Sequence, residues 1–324
     1  MRAVICQRHG PPEDLVVEDI DPPQPGSGEI QIRVKAIALN FFDILIIENK
    51  YQTKPDLPFS PGAEVAGMVE KIGDGVSDFV PGDKVLGYLG YGCCREIVTG
   101  NARRFAKMPA KLDFAEASGL TVTYGTSLHA LRDRARLESG ETLVVLGAAG
   151  GVGQAAVEIG KILGARVIAA ASSDEKLAFC RAIGADETIN YEHQDFRTRV
   201  KQLTAGSGAN VVFDPVGGAL AEPALRAMAW EGRYLVIGFA SGEIPRLPLN
   251  LVLLKGCEIV GVYWGSYIER QESRLRAQLE QLMTWCADGA LKPHVHATYP
   301  LDKTAEALNV IARRENKGKV VIVP

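Results

Sequence analysis

Residues 144–160 read VVLGAAGGVGQAAVEIG. An apolar run that suits a buried strand stops at Gly147, and an amphipathic run that suits a helix begins a few residues later. The turn between them is almost free of side chains. A helix start presents N–H groups with no partner and the positive end of the helix dipole, so a bare turn at this point suits a phosphate. The strict dinucleotide fingerprint is G-x-G-x-x-G. Here it reads Ala148-Ala149-Gly150-Gly151-Val152-Gly153, with alanine in the first slot. The segment predicts a strand–turn–helix whose backbone at Ala149, Gly150, Gly151 and Val152 receives a dinucleotide pyrophosphate. A tight turn without a ligand is the alternative.

The surroundings of this turn favour the first reading. From residue 142 onward, strand-like and helix-like runs alternate: TLVVLG, QAAVEIGKILG, ARVIAAA, SDEKLAFCRAIGA, NVVFDPVG, GRYLVIGF and CEIVGVYW. Ser173 is a good N-cap for the SDEKLAF helix. This alternation predicts βαβ units and a doubly wound parallel sheet, an α/β Rossmann domain. The first 110 or so residues follow another grammar, with short β-type runs broken by Gly and Pro. In IQIRVKA, Ile30, Ile32 and Val34 alternate with polar residues, as in a half-buried strand. This part predicts a partly barrel-like, antiparallel β-rich domain. FAEASGLTVTYGTSLHALRDRA, from residue 114, has helical spacing, and the tail after residue 270 reads as helix, helix and a last strand.

Composition narrows the function classes. The chain has 324 residues and a net charge of −3, with the signs mixed along its length. No basic stripe suggests nucleic acid, and no apolar stretch approaches the ~20 residues that span a bilayer. The N-terminal residues lack a signal-peptide core, and the 6 cysteines contain no C-x-x-C pair. These features predict a cytoplasmic protein with free thiols and no structural zinc. The 5 histidines fall in no recognisable hydrolase arrangement.

The second strand of the βαβ region ends at Ala171, where an acid would hold a ribose 2′-hydroxyl and repel a 2′-phosphate. The slot is small and neutral. Ser172 and Ser173 can donate hydrogen bonds, and Lys176 follows one helical turn on. This favours NADPH. The counter-reading gives the acid's role to Asp174, which sits in the first turn of the next helix and there complements its dipole.

Several segments carry a family resemblance: KAIALNFFDILI, FSPGAEVAGMVEKIGDGVSDFVPGDKV, the glycine turn with its flanks, GADETINY, VVFDPVGG and GKVVIVP. Through them the chain resembles the medium-chain dehydrogenase/reductase superfamily, and within it the zinc-independent NADPH:quinone oxidoreductases. The resemblance implies a GroES-like catalytic domain over residues 1–124 and 265–324, and a Rossmann domain over 125–264. Zinc members carry a histidine ligand where this chain has Ala63, and cysteines at the positions of Asn40 and, more loosely, Ser118. The resemblance therefore implies no metal.

It also assigns roles by position. Asn40, Asp43 and Tyr51 would serve the acceptor: Asn40 by orienting an oxygen or the carboxamide, Tyr51 as a phenol able to supply a proton. The bland alternatives are a fold-holding hydrogen bond for Asp43 and a packing role for Tyr51. Thr126, Tyr191, Gly238, Phe239 and Lys319 would touch the cofactor, Tyr191 beside the 2′-phosphate with Lys176. Their alternatives are a helix start for Thr126, a half-buried strand end for Tyr191 and a surface position for Lys319. Expected partners are a small quinone or enone and a second copy of the chain, paired through an apolar edge such as CEIVGVYW. Two rival functions use the same scaffold: an enoyl-thioester or enone reductase, and a non-catalytic NADPH-binding protein.

Overall fold

The computed structural model describes residues 1–324 apart from the side chain of residue 272. The chain divides into two units, Met1–Gly125 with Gly265–Pro324, and Thr126–Trp264. Its elements in chain order begin with β1 (Arg2–Ile5), β2 (Val16–Asp19), β3 (Glu29–Leu39), α1 (Phe41–Ile47), β4 (Glu64–Ile72), β5 (Lys84–Tyr88), β6 (Ile97–Asn101), β7 (Phe105–Lys107) and α2 (Phe114–Ser118). Then come α3 (Gly125–Leu128), β8 (Thr142–Val145), α4 (Gly151–Ile162), β9 (Arg166–Ala171), α5 (Asp174–Ala182), β10 (Glu187–Asn190), α6 (Phe196–Leu203), β11 (Ala209–Asp214), α7 (Ala221–Ala227), β12 (Met228–Val236), α8 (Leu249–Lys255) and β13 (Glu258–Gly261). The tail holds α9 (Trp264–Arg270), α10 (Glu272–Ala287), β14 (Val295–Pro300), α11 (Thr304–Ala312) and β15 (Lys319–Val323).

In the first unit a seven-stranded sheet runs β14-β15-β3-β4-β5-β7, with β6 also on β3. Its pairs are antiparallel except β14 with β15. β3 explains the curl. Residues 37–39 pair with β15 and residues 29–33 with β6, while β4 takes its other edge. The predicted alternation holds in part: Ile30, Ile32 and Val34 are buried and Arg33 and Lys35 exposed, but Gln31 is buried too, its amide donating to Pro23 O at 2.6 Å. The core around β3 takes in Phe59, Phe79, Phe105, Leu308 and Ile322.

The second unit holds a six-stranded parallel sheet in the order β10-β9-β8-β11-β12-β13. Leu143, Val144 and Val145 of β8 are fully buried, which is why this strand shows no polar alternation in sequence. The strand order reverses between β8 and β11, and ligands of such sheets bind at the carboxyl ends beside that reversal.

Two details differ from the sequence expectation. The helical run from residue 114 includes π-type turns over Leu120–Tyr124 and His129–Arg134. The tail carries the extra strand β14, parallel to β15. β14 is an edge strand with no fully buried residue, so it lacks the apolar alternation that marks a strand in sequence. At the other sheet's edge, β13 pairs with β12 and carries exposed Ile259, close in sequence to exposed Tyr263. Trp230 and Leu249, Leu253 and Leu254 of α8 are more than two-thirds exposed, at 69%, 72%, 79% and 68%. Among the described residues no helix is long and apolar enough to cross a membrane.

Candidate active site

The glycine turn has the geometry its sequence requires. Gly147 leaves β8 with φ +57°, a left-handed conformation that side chains resist. A Cβ on Gly153 would lie 2.3 Å from the Gly147 carbonyl oxygen, so only glycine lets α4 pack this close to the strand end. Gly150 is the extended N-cap of α4, and no side chain caps the helix. The Ala148 N–H donates to the Ala170 oxygen at 3.0 Å and ties the turn to the end of β9. Ala149, Gly150, Gly151 and Val152 thus surround an uncapped helix start at the sheet's reversal point.

Ala171 closes β9, and Ser173 caps α5 by accepting the Lys176 N–H at 3.3 Å. The Lys176 Nζ turns back to 3.5 Å from Ser172 Oγ, which puts its charge over the end of β9. Asp174, exposed in the first turn of α5, is held from the side, its Oδ1 accepting from Asn190 Nδ2 at 2.8 Å. Tyr191 is half-buried just past β10. Ser172, Ser173, Lys176 and Tyr191 are therefore neighbours, because Asn190 pairs with Ala171 across β9 and β10.

The loops after β11 and β12 are laced together. Ala240 N–H donates to Pro215 O at 3.0 Å, Ser241 N–H to Val216 O at 2.9 Å, and Gly218 N–H to Glu243 O at 3.1 Å. Buried Asp214 anchors the first loop. Its Oδ1 accepts the Val216 and Gly217 N–H groups, both at 2.8 Å, and Tyr234 donates its hydroxyl to Oδ2. Burial raises the Asp214 carboxyl above its ordinary value, against these three donors. Gly238 and part-exposed Phe239 lie on the second loop. Thr126 is half-buried in α3, and the next hydroxyl, Ser127 Oγ, donates to Val152 O at 3.0 Å. The cofactor candidates of this unit therefore all lie at or beside strand and helix ends.

In the first unit, Asn40 and Asp43 belong to a buried polar cluster. Sheet register builds it: Val320 pairs with Leu39, so Lys319 and Asn40 come next to each other, and Glu64 opens β4 opposite Ala38. Lys319 Nζ donates to Leu39 O at 2.8 Å, Asn40 Oδ1 at 2.7 Å and Glu64 Oε1 at 3.0 Å. Asn40 Nδ2 donates to Glu64 Oε1 at 2.9 Å, and the Val122 N–H donates to Glu64 Oε2 at 2.7 Å. An ammonium can only donate, so the Asn40 amide must turn its oxygen to Lys319 and its nitrogen to Glu64. The Asp43 carboxylate accepts the Asn40 N–H at 2.7 Å, which caps α1. Burial pushes the Asp43 carboxyl up to about 7; the Asn40 N–H and the Lys319 charge pull against this, and the Glu64 charge adds to it.

Lys319 is 4% exposed, which corrects the surface alternative. Its three ammonium hydrogens are spent inside the unit, so its charge acts through Asn40 and Glu64. Tyr51 stacks on Phe42 of α1 with ring centroids 5.3 Å apart.

Sequence reasoning missed Glu64, Asp214, Tyr234 and Asn190. A signal existed for the first. A glutamate beside Ala63 and a lysine opening KVVIVP are opposite charges at the starts of apolar strands, and buried charges are paired. Nothing local in sequence marks the others.

Comparison with known proteins places these features in a family. Residues 26–127 match the alcohol dehydrogenase GroES-like domain, and residues 151–287 match the family described as zinc-binding dehydrogenase. A quinone oxidoreductase-like protein 2 homolog of Nematostella vectensis is 40% identical over 99% of this chain and 88% of its own length. The structure of Escherichia coli quinone oxidoreductase complexed with NADPH is 30% identical, covers 100% of both chains and superposes with a TM-score of 0.93. A mycobacterial protein, also complexed with NADPH, is 28% identical over 100% of both chains, with a TM-score of 0.93.

The second family description implies zinc, and the residues here do not fit it. Ala63 has no donor atom. The Asn40 amide is spent on Glu64 and Lys319, and Ser118 Oγ donates to Ala115 O at 2.9 Å. A cation already stands against the Asn40 oxygen, and amide and hydroxyl oxygens are poor zinc ligands beside thiolate and imidazole. The chain belongs to the quinone oxidoreductase-like family of the medium-chain dehydrogenase/reductase superfamily, and it is an oxidoreductase.

Proposed function

We propose that the chain is an NADPH-dependent reductase of quinones or similarly activated acceptors, working without zinc. The observation that carries the cofactor choice is the end of β9. Ala171 and Ser172 leave room there for a 2′-phosphate, and Lys176 brings a positive charge. The two relatives solved with NADPH support the same choice. The backbone at Ala149, Gly150, Gly151 and Val152 would hold the pyrophosphate, with Tyr191 and Ser173 beside the 2′-phosphate. Thr126, Gly238 and Phe239 would border the nicotinamide half. Lys319 would serve through Asn40.

Bound NADPH supplies a hydride from nicotinamide C4. The chain must position the acceptor and deliver a proton to the oxygen that gains charge. Tyr51 is our candidate donor, its ring fixed by the stack on Phe42. Quinones and conjugated enones suit a site without a Lewis acid, because conjugation already activates them. The six cysteines are joined in no disulfide, which fits a reducing cytoplasm. The exposed apolar edge at β13 and α8 fits a homodimer.

Stopped-flow oxidation of NADPH against a panel of quinones and enones tests this reading, with Tyr51→Phe alongside the wild type. Turnover on quinones is expected, and Tyr51→Phe should slow enone reduction much more than quinone reduction. Tight NADPH binding with no turnover on any acceptor would instead mark a binding protein. Equal rates for both forms on both acceptor classes would remove Tyr51 from proton delivery.

A further inference from the structure

The end of β9 carries a conflict. A carboxylate there binds a ribose 2′-hydroxyl and repels a 2′-phosphate. Asp174 lies three residues past Ala171, exposed in the first turn of α5, on a chain whose other features favour the phosphate. What the Asp174 carboxylate does depends on what holds it, and the holder is Asn190.

Asn190 ends β10, pairs with Ala171 and is 6% exposed. Its side chain is clamped at both ends. Oδ1 accepts the Glu192 N–H at 3.2 Å, and Nδ2 donates to Asp174 Oδ1 at 2.8 Å. Its own N–H donates to Gln194 Oε1 at 3.1 Å, which fixes the backbone beneath it. A buried, doubly bonded amide is a rigid donor, so it anchors the exposed carboxylate on the β10 side. Lys176 meanwhile reaches back to Ser172 at the end of β9. The anion is bonded to Asn190 and the cation to Ser172.

We propose that the Asn190–Asp174 hydrogen bond is a specificity latch, which keeps the Asp174 carboxylate off the ribose 2′ position and so lets the phosphate of NADPH in. Asn190 is a positioning residue in this scheme. It touches no cofactor and acts through Asp174. Without the latch, Asp174 is free to turn to the slot, accept a 2′-hydroxyl and repel a 2′-phosphate. The proposal rests on the NADPH reading above and adds to it the device that sets the preference.

The test measures Kd for NADPH and NADH by titration of the full chain. Four proteins are compared: wild type, Asn190→Ala, Asp174→Ala and the double variant. The wild type should favour NADPH. Asn190→Ala should lower the NADPH-to-NADH affinity ratio about tenfold, the scale of one water-screened charge near a phosphate. Asp174→Ala should keep the wild-type preference, and the double variant should regain it. That rescue separates a latch from a packing defect, which would weaken both nucleotides alike and persist in the double variant. An unchanged ratio in Asn190→Ala, or no recovery in the double variant, overturns the latch while leaving the NADPH reading intact. A wild type that prefers NADH overturns both.

Discussion

Asp43 shows how one residue can tie local structure to pH. It caps α1 through the Asn40 N–H and is almost fully buried, with its carboxyl raised to about 7. An acid raised in the folded state binds its proton more tightly there than in the unfolded chain. Its stabilising contribution is complete below the unfolded value near ~4 and is lost as pH rises through about 7. Asp43→Asn removes that dependence and keeps an oxygen to accept the Asn40 N–H. The variant should therefore gain on the wild type in unfolding free energy between pH 4 and pH 7, on the order of 1–4 kcal/mol, and the difference should level off above that. Urea unfolding of both proteins across this range checks it. Parallel profiles would show that Asp43 stays ionised in the folded protein.

At the scale of elements, β13 and α8 carry a prediction about assembly. An edge strand offers unpaired backbone groups, and proteins that stay monomeric blunt such edges with charge or proline. Here Ile259, Trp230, Leu249, Leu253 and Leu254 leave the edge apolar. Replacing Leu253 and Leu254 with glutamate should convert a dimer to a monomer by sedimentation velocity, with NADPH binding retained. A wild type that sediments as a monomer would remove the proposed assembly. Elements were also where the sequence was most readable. β8, α4, β9 and α5 announce themselves by period and by the Gly147–Gly153 turn, because each is a local pattern of burial and capping. β14 was not readable, since an edge strand with no buried face leaves no alternation.

Over the whole molecule, the same division runs between local and distant causes. The glycine turn and the Ser172–Lys176 group come from contiguous residues, so the sequence exposes them. The Lys319–Asn40–Glu64 cluster joins strands 279 and 255 residues apart and depends on sheet register, which no short motif records. Likewise, Ala63 is a local fact of the sequence, and the ammonium beside Asn40 is a tertiary one. The proposed reaction passes a hydride from NADPH to a quinone with no metal assisting. The most direct measurement is the turnover of NADPH with a benzoquinone by protein dialysed against a strong chelator, with bound zinc quantified in the same sample. Undiminished turnover at negligible zinc is the expected result. Activity that vanishes on chelation and returns with stoichiometric zinc would contradict it.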